Sequence, residues 1–106
     1  LTPLEEIIEK INEEFFGDFT EIDRVIVDTL YNKMKKDSKV KKAAKSNDQQ
    51  VYERSIFPTI FEDMAQEAYT ENMAAYEQLS IDADKYRIIQ KTLAERLYQE
   101  LHTRPK

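Results

Sequence analysis

The 106 residues hold 21 acids against 16 lysines and arginines, a net charge of −5, with one glycine, three prolines and no cysteine. That length suits one domain, and the composition excludes a disulfide framework, a thiolate metal site, a P-loop and a glycine-rich dinucleotide fingerprint. With 35% of residues charged, no apolar run nearing the roughly 20 residues that cross a bilayer and no signal peptide, helices, a cytoplasmic location and no membrane attachment are expected.

The chain opens Leu1-Thr2-Pro3 without an initiator methionine, which suggests a piece of a longer polypeptide. Thr2, Pro3 and Glu5 spell a helix start: an N-cap, a proline where its missing N–H costs nothing, and a glutamate placed to close a capping box. Leu4, Ile7, Ile8, Ile11 and Phe15 recur at helical spacing opposite Glu5, Glu6, Glu9 and Glu13, and Gly17 stands where a left-handed cap would end the helix. Thr20 and Asp23 mark a second start, followed to about Lys36 by Ile22, Val25, Ile26, Thr29, Leu30 and Met34. Asp37-Ser38 predicts a short third helix over roughly residues 39–46, with Val40, Ala43 and Ala44 to bury.

Ser46-Asn47-Asp48 supplies the next break and cap. Val51, Tyr52, Ser55, Ile56, Ile60, Phe61, Met64, Ala65 and Ala68 then keep the helical period. Pro58 interrupts that run, so either a kink near Phe57 or two helices meeting there is expected. Polarity relaxes from Glu71 to Ser80, with helix continuing through Met73 and Tyr76. Ser80 or Asp82 caps a last helix carrying Ile81, Tyr86, Ile89, Leu93, Leu97 and Leu101. The fold expected is an all-α bundle of about five helices in one domain over residues 1–106.

Charge is unevenly distributed. Lys33, Lys35, Lys36, Lys39, Lys41, Lys42 and Lys45 fall within thirteen residues against one acid, Asp37, so this segment carries +6 and the remainder −11. Clustered ammonium groups can neutralise DNA phosphates without reading sequence, because lysine is a mobile point charge whereas base reading favours fixed Arg, Asn or Gln. The plainer reading is solvation of a helix end and complementation of its dipole. Asn47, Gln49 and Gln50 beside the patch read as a polar loop and helix start, or as contacts to a nucleic-acid backbone or base edge.

The acids Glu5, Glu6, Glu9, Glu13, Glu14, Asp18, Glu21 and Asp23 read as a solvated helix face or a dock for a basic partner. No Glu-x-x-His pair accompanies them, and Asp82-Ala83-Asp84 lacks the glycine and closing glutamate of a calcium loop, so no metal site is expected. His102, the single histidine, reads as a charged helix end, and no catalytic residue is assigned. Phe15, Phe57, Phe61, Tyr76 and Tyr86 occupy apolar helical positions. Tyr31, Tyr52 and Tyr98 are the candidate surface aromatics for a protein interface.

Pro3-Leu4-Glu5-Glu6-Ile7-Ile8-Glu9-Lys10-Ile11-Asn12-Glu13, Phe16-Gly17, Asp18-Phe19-Thr20 and Asp23-Arg24 together resemble a segment near the C-terminus of type I restriction enzyme motor (R) subunits. Asn47-Asp48 and Phe61-Glu62-Asp63 suit the pattern that follows it. The resemblance implies a parent subunit with a PD-(D/E)xK-type nuclease domain and two helicase-like motor domains, using ATP and Mg2+, and ending in a helical region that docks on the methyltransferase core. None of the nuclease or motor motifs occurs in these residues, so neither enzymatic activity nor a cofactor is expected of this segment. The expectation is an assembly module joining the motor subunit to the modification and specificity subunits, with double-stranded DNA held by the lysines. The alternative is a module that chiefly binds DNA.

Overall fold

The computed structural model describes residues 2–71, 73, 77 and 82–102. Within them the chain forms an all-α bundle without strands. Helix α1 spans Pro3–Glu14, α2 Glu21–Lys36, and α3 Ser38–Ala43. The long α4 opens as Gln49–Val51, widens into a π-helical turn over Tyr52–Ile56 and returns to α geometry over Phe57–Glu71. Helix α5 spans Ala83–Leu101. The expectations placed on Tyr76, Ser80 and Ile81 lie outside the described residues.

Each helix start is set locally by a short polar side chain that accepts from an otherwise orphaned backbone N–H. Thr20 and Asp23 form a complete capping box on α2, with Asp23 N–H donating to Thr20 Oγ1 and Thr20 N–H donating to Asp23 Oδ2 at 2.8 Å. At α1 the box is half made: Glu5 N–H donates to Thr2 Oγ1, but the Glu5 carboxylate takes the Thr2 hydroxyl rather than its backbone N–H. Asp37 both ends α2 and opens α3, its Oδ1 accepting from the N–H groups of Lys39 and Val40. Asp48 and Asp82 cap α4 and α5 in the same way.

One local expectation needs correction. Gly17 is not a left-handed cap, because its φ is not positive and α1 ends instead at an extended Phe15 whose N–H donates to Ile11 O. The glycine is required by proximity: a Cβ there would lie 2.5 Å from Phe15 Cζ. At Pro58, where a kink near Phe57 or two meeting helices were expected, the run is interrupted by a change of helix type at Phe57 and not by a loop. Proline has no N–H to donate and in a regular helix its ring strikes the carbonyl four residues back. Here the turn before it is π-helical, Phe57 N–H reaches back five residues to Tyr52 O, and the helix runs on.

The core is continuous, built from Ile7 and Ile11 of α1, Ile26, Val27, Leu30 and Met34 of α2, Val40 of α3, Phe57 and Phe61 of α4, and Ile89, Leu93 and Leu97 of α5. Helix α1 packs on α2 and α5, and α3 wedges between α2 and the Phe57–Glu71 part of α4. The stripe on α2 is displaced from the expected one: Val27 and Tyr31 turn inward with Asp23, while Ile22 and Val25 face water. Across α1 and α5 the charges alternate in antiparallel register, Glu6 with Arg96 at 3.0 Å, Lys10 with Glu95 at 3.1 Å and Glu14 with Lys91 at 3.1 Å. Part of the acidic run is therefore spent on helix pairing.

Asp23 is fully buried and Lys85 nearly so, their Oδ2 and Nζ 2.7 Å apart. The same ammonium lies 5.3 Å from the centre of the Phe15 ring. Removing one member of such a pair strands a charge in a dry interior, typically at a cost of about 3–5 kcal/mol. Lys85→Met is expected to lose about 3 kcal/mol in urea unfolding, and adding Asp23→Asn should recover part of it by discharging the stranded carboxylate. An unchanged midpoint for Lys85→Met would contradict this role.

Candidate functional site

The lysine segment is shaped by the three small apolar residues within it. Val40, Ala43 and Ala44 are buried, and their helical spacing leaves Lys39, Lys41, Lys42 and Lys45 outside. Lys35 and Lys36 join them from the last turn of α2, all exposed. Not all seven cations are equally available. Lys33 Nζ is 2.8 Å from Glu71 Oε1, so its charge is matched across helices, and Lys35 leans over the Tyr31 ring at 5.5 Å. Among the described residues, Lys36, Lys39, Lys41, Lys42 and Lys45 have no ion-pair partner. They also surround the carbonyl ends of α2 and α3, whose partial negative charge favours cations there.

The backbone beneath these lysines is pinned by residues that sequence reasoning put elsewhere. Tyr31, Tyr52 and Tyr98 are buried, not surface aromatics, and cannot serve as free interface anchors. Each satisfies its hydroxyl internally. Tyr52 donates to Ala94 O at 3.0 Å, Tyr98 to Ser46 O at 2.7 Å, and Tyr31 to the Glu100 carboxylate at 2.8 Å. His102 joins them: its Nδ1 lies 2.6 Å from Ala44 O, and since a carbonyl only accepts, Nδ1 carries the proton. Tyr98 and His102 stack with ring centres 4.6 Å apart, Tyr52 tilts against Tyr98 at 4.9 Å, and the column continues through Phe57 and Phe61 to Tyr86. Two carbonyls at the end of the basic segment are thus tied to α5.

Asn47, Gln49 and Gln50 are exposed beside the segment. Gln50 also borders a cleft of about 440 Å³ between α4 and α5, where Arg54, Arg87 and Lys91 face Glu53 and Glu95. Burial, and then the charge of Glu95, raises the Glu53 carboxyl above its ordinary range. The hydrogen bond that Lys91 donates to the Glu14 carboxylate, and then the charge of that carboxylate, raise Lys91. The side chains lining the cleft are mostly charged and mutually compensating, whereas small organic ligands are held chiefly by hydrophobic and aromatic residues. Among the described residues no group of three His, Cys, Asp or Glu side chains is placed to hold a metal ion, and no helix is long and apolar enough to cross a membrane.

Comparison with protein-family models, with curated proteins and with solved structures finds no match to this chain.

Burial, reinforced by the hydrogen bond to Glu100, pushes the Tyr31 hydroxyl from 10.0 up to about 12, and burial raises Tyr52 as well. The folded chain then holds these protons more tightly than the unfolded chain, so their stabilisation is complete below pH 10.0 and is lost as pH rises toward about 12. Denaturant melts at increasing alkaline pH are expected to show that decline, with a shallower slope for Tyr31→Phe. A slope unaltered by the substitution would refute the assignment. Tyr98→Phe, which frees the Ser46 carbonyl, is expected to cost about 1 kcal/mol at neutral pH, read from the shift in urea midpoint.

Proposed function

We propose that this chain is an assembly module of a type I restriction enzyme, attaching the motor subunit to the methyltransferase core and steadying duplex DNA beside it. The attachment half rests on the resemblance carried by residues between Pro3 and Arg24, which supply α1, the connecting loop and the capping box of α2. The single structural observation behind the DNA half is the exposed, unmatched set Lys36, Lys39, Lys41, Lys42 and Lys45 on a backbone tied down by Tyr98 and His102. Ammonium groups so placed attract phosphate by releasing condensed counterions. They hold a duplex without choosing its sequence, as a docking module near a translocating motor requires.

The chain performs no chemistry in this reading. Catalysis, ATP and Mg2+ belong to the parent subunit, and the cytoplasm is the compartment that such an enzyme would occupy. The second reading, a module that chiefly binds DNA, draws on the same lysines and differs in making the protein partner secondary.

Two measurements separate them. The isolated chain is expected to bind the methyltransferase complex in a pull-down and to compete with the full motor subunit for it; failure of both removes the attachment role. Replacing Lys36, Lys39, Lys41, Lys42 and Lys45 is expected to flatten the dependence of log affinity for duplex DNA on log salt by about 0.9 per true phosphate contact. An unchanged slope after all five replacements removes the DNA role and leaves attachment standing.

A further inference from the structure

Phe16 is 99% exposed, while Ile22 and Val25, near the start of α2, are 45% and 48% exposed. The outward position of Phe16 follows from its neighbour. Phe15 is half-buried against Gly17 and under the Lys85 ammonium, with an extended backbone of φ −100° and ψ 122°. Successive side chains in extended chain point to opposite sides, so locking Phe15 inward drives Phe16 outward. On α2, Ile22, Val25 and Thr29 follow the spacing of one helical flank, and the inward flank is already filled by Asp23, Ile26, Val27, Leu30 and Met34. The protruding ring and the apolar stripe thus belong to one stretch of chain, residues 16–29, whose inward side chains fill the core and leave these outside it.

Apart from Arg24, the exposed charges around this stretch have one sign. Glu13, Asp18 and Glu21 are exposed and, among the described residues, have no ion-pair partner, whereas Glu14 is committed to Lys91 and Asp23 to Lys85. Arg24, the one cation between Glu13 and Asp28, stands about 100° around α2 from Val25, away from the stripe. We infer that Phe16, Ile22 and Val25 form a docking surface for a basic amphipathic helix of a partner protein. The partner's apolar ridge packs along Ile22, Val25 and Thr29 against the Phe16 ring, and its flanking lysines or arginines meet Glu13, Asp18 and Glu21. An amphipathic helix recognises such a face through residues spaced by three and four, and opposite rim charges steer its approach. The proposal goes beyond attachment to the methyltransferase core by naming a surface and the chemistry that fits it.

The test uses the 106-residue chain, isotopically labelled for NMR, and a synthetic 18-residue helix with a leucine stripe flanked by lysines. The expected result is saturable binding with amide shifts concentrated at Phe16, Ile22, Val25 and Thr29. Phe16→Ala should weaken binding roughly tenfold, as loss of a central aromatic anchor does, with the spectrum otherwise that of the folded chain. A helix of equal charge with glutamine in place of leucine should bind at least tenfold more weakly. The proposal is overturned by shifts confined to other faces, by equal affinity for Phe16→Ala, or by equal binding of the glutamine helix, which would reduce the contact to charge alone. Concentration-dependent shifts at these residues without peptide would overturn it in favour of a second copy of the chain. Because no methyltransferase is present, the titration and the pull-down fail independently.

Discussion

A carboxylate withdrawn completely from water has to be neutralised or matched, and Asp23 is matched by Lys85 across 62 positions of chain. Much of the architecture converges on that contact. Asp23 Oδ2 also receives the Thr20 N–H and hydroxyl, so the group that pairs with α5 is the one that starts α2. The ammonium in turn sits over Phe15, whose ring needs the bare backbone of Gly17 beneath it. The end of α1, the start of α2 and the start of α5 are thereby held at one point. The Asp23 Oδ1 atom has no hydrogen-bond partner among the described residues, which makes the lysine the chief compensation for this charge.

At the other end of the bundle the constraint is hydrogen bonding of backbone carbonyls. A helix as short as α3 leaves much of its backbone unsatisfied from within, and Tyr98 and His102 supply donors to Ser46 O and Ala44 O just past its end. Tyr52, which packs on Tyr98, lies on the π-helical turn that carries α4 through Pro58. The wide turn and the aromatic column therefore serve one purpose, to fix the last helix against the base of the lysine segment. Electrostatic attraction to an extended polyanion gains from such rigidity, because less side-chain and backbone freedom is lost on contact.

Helix boundaries were legible because capping is local: Thr20 with Asp23, Asp37, Asp48 and Asp82 each act on N–H groups two or three residues away. The inner face of α2 was ambiguous, since Ile22, Val25 and Thr29 satisfy helical spacing as well as Val27, Leu30 and Met34 do, and only the helices packed against it decide. Burial of Asp23 was hidden for the same reason, its partner being remote in sequence. The tyrosines misled because a phenol is amphipathic. Tyr52 and Tyr98 direct their hydroxyls to main-chain carbonyls, partners that leave no trace in side-chain pattern. The lysines themselves were plain, but the loss of Lys33 to Glu71 needed the fold.

The Asp23–Lys85 contact also bears on how the chain matures during synthesis. The ribosome delivers α1 and α2 well before residue 85, and until then the hairpin of these two helices would have to bury an unmatched carboxylate. The full burial of Asp23 therefore depends on the helix that brings Lys85, so the packing of the first two helices is completed only with the last. The two ends of the sequence are thereby made interdependent, and truncation of either leaves the other with an unmatched charge.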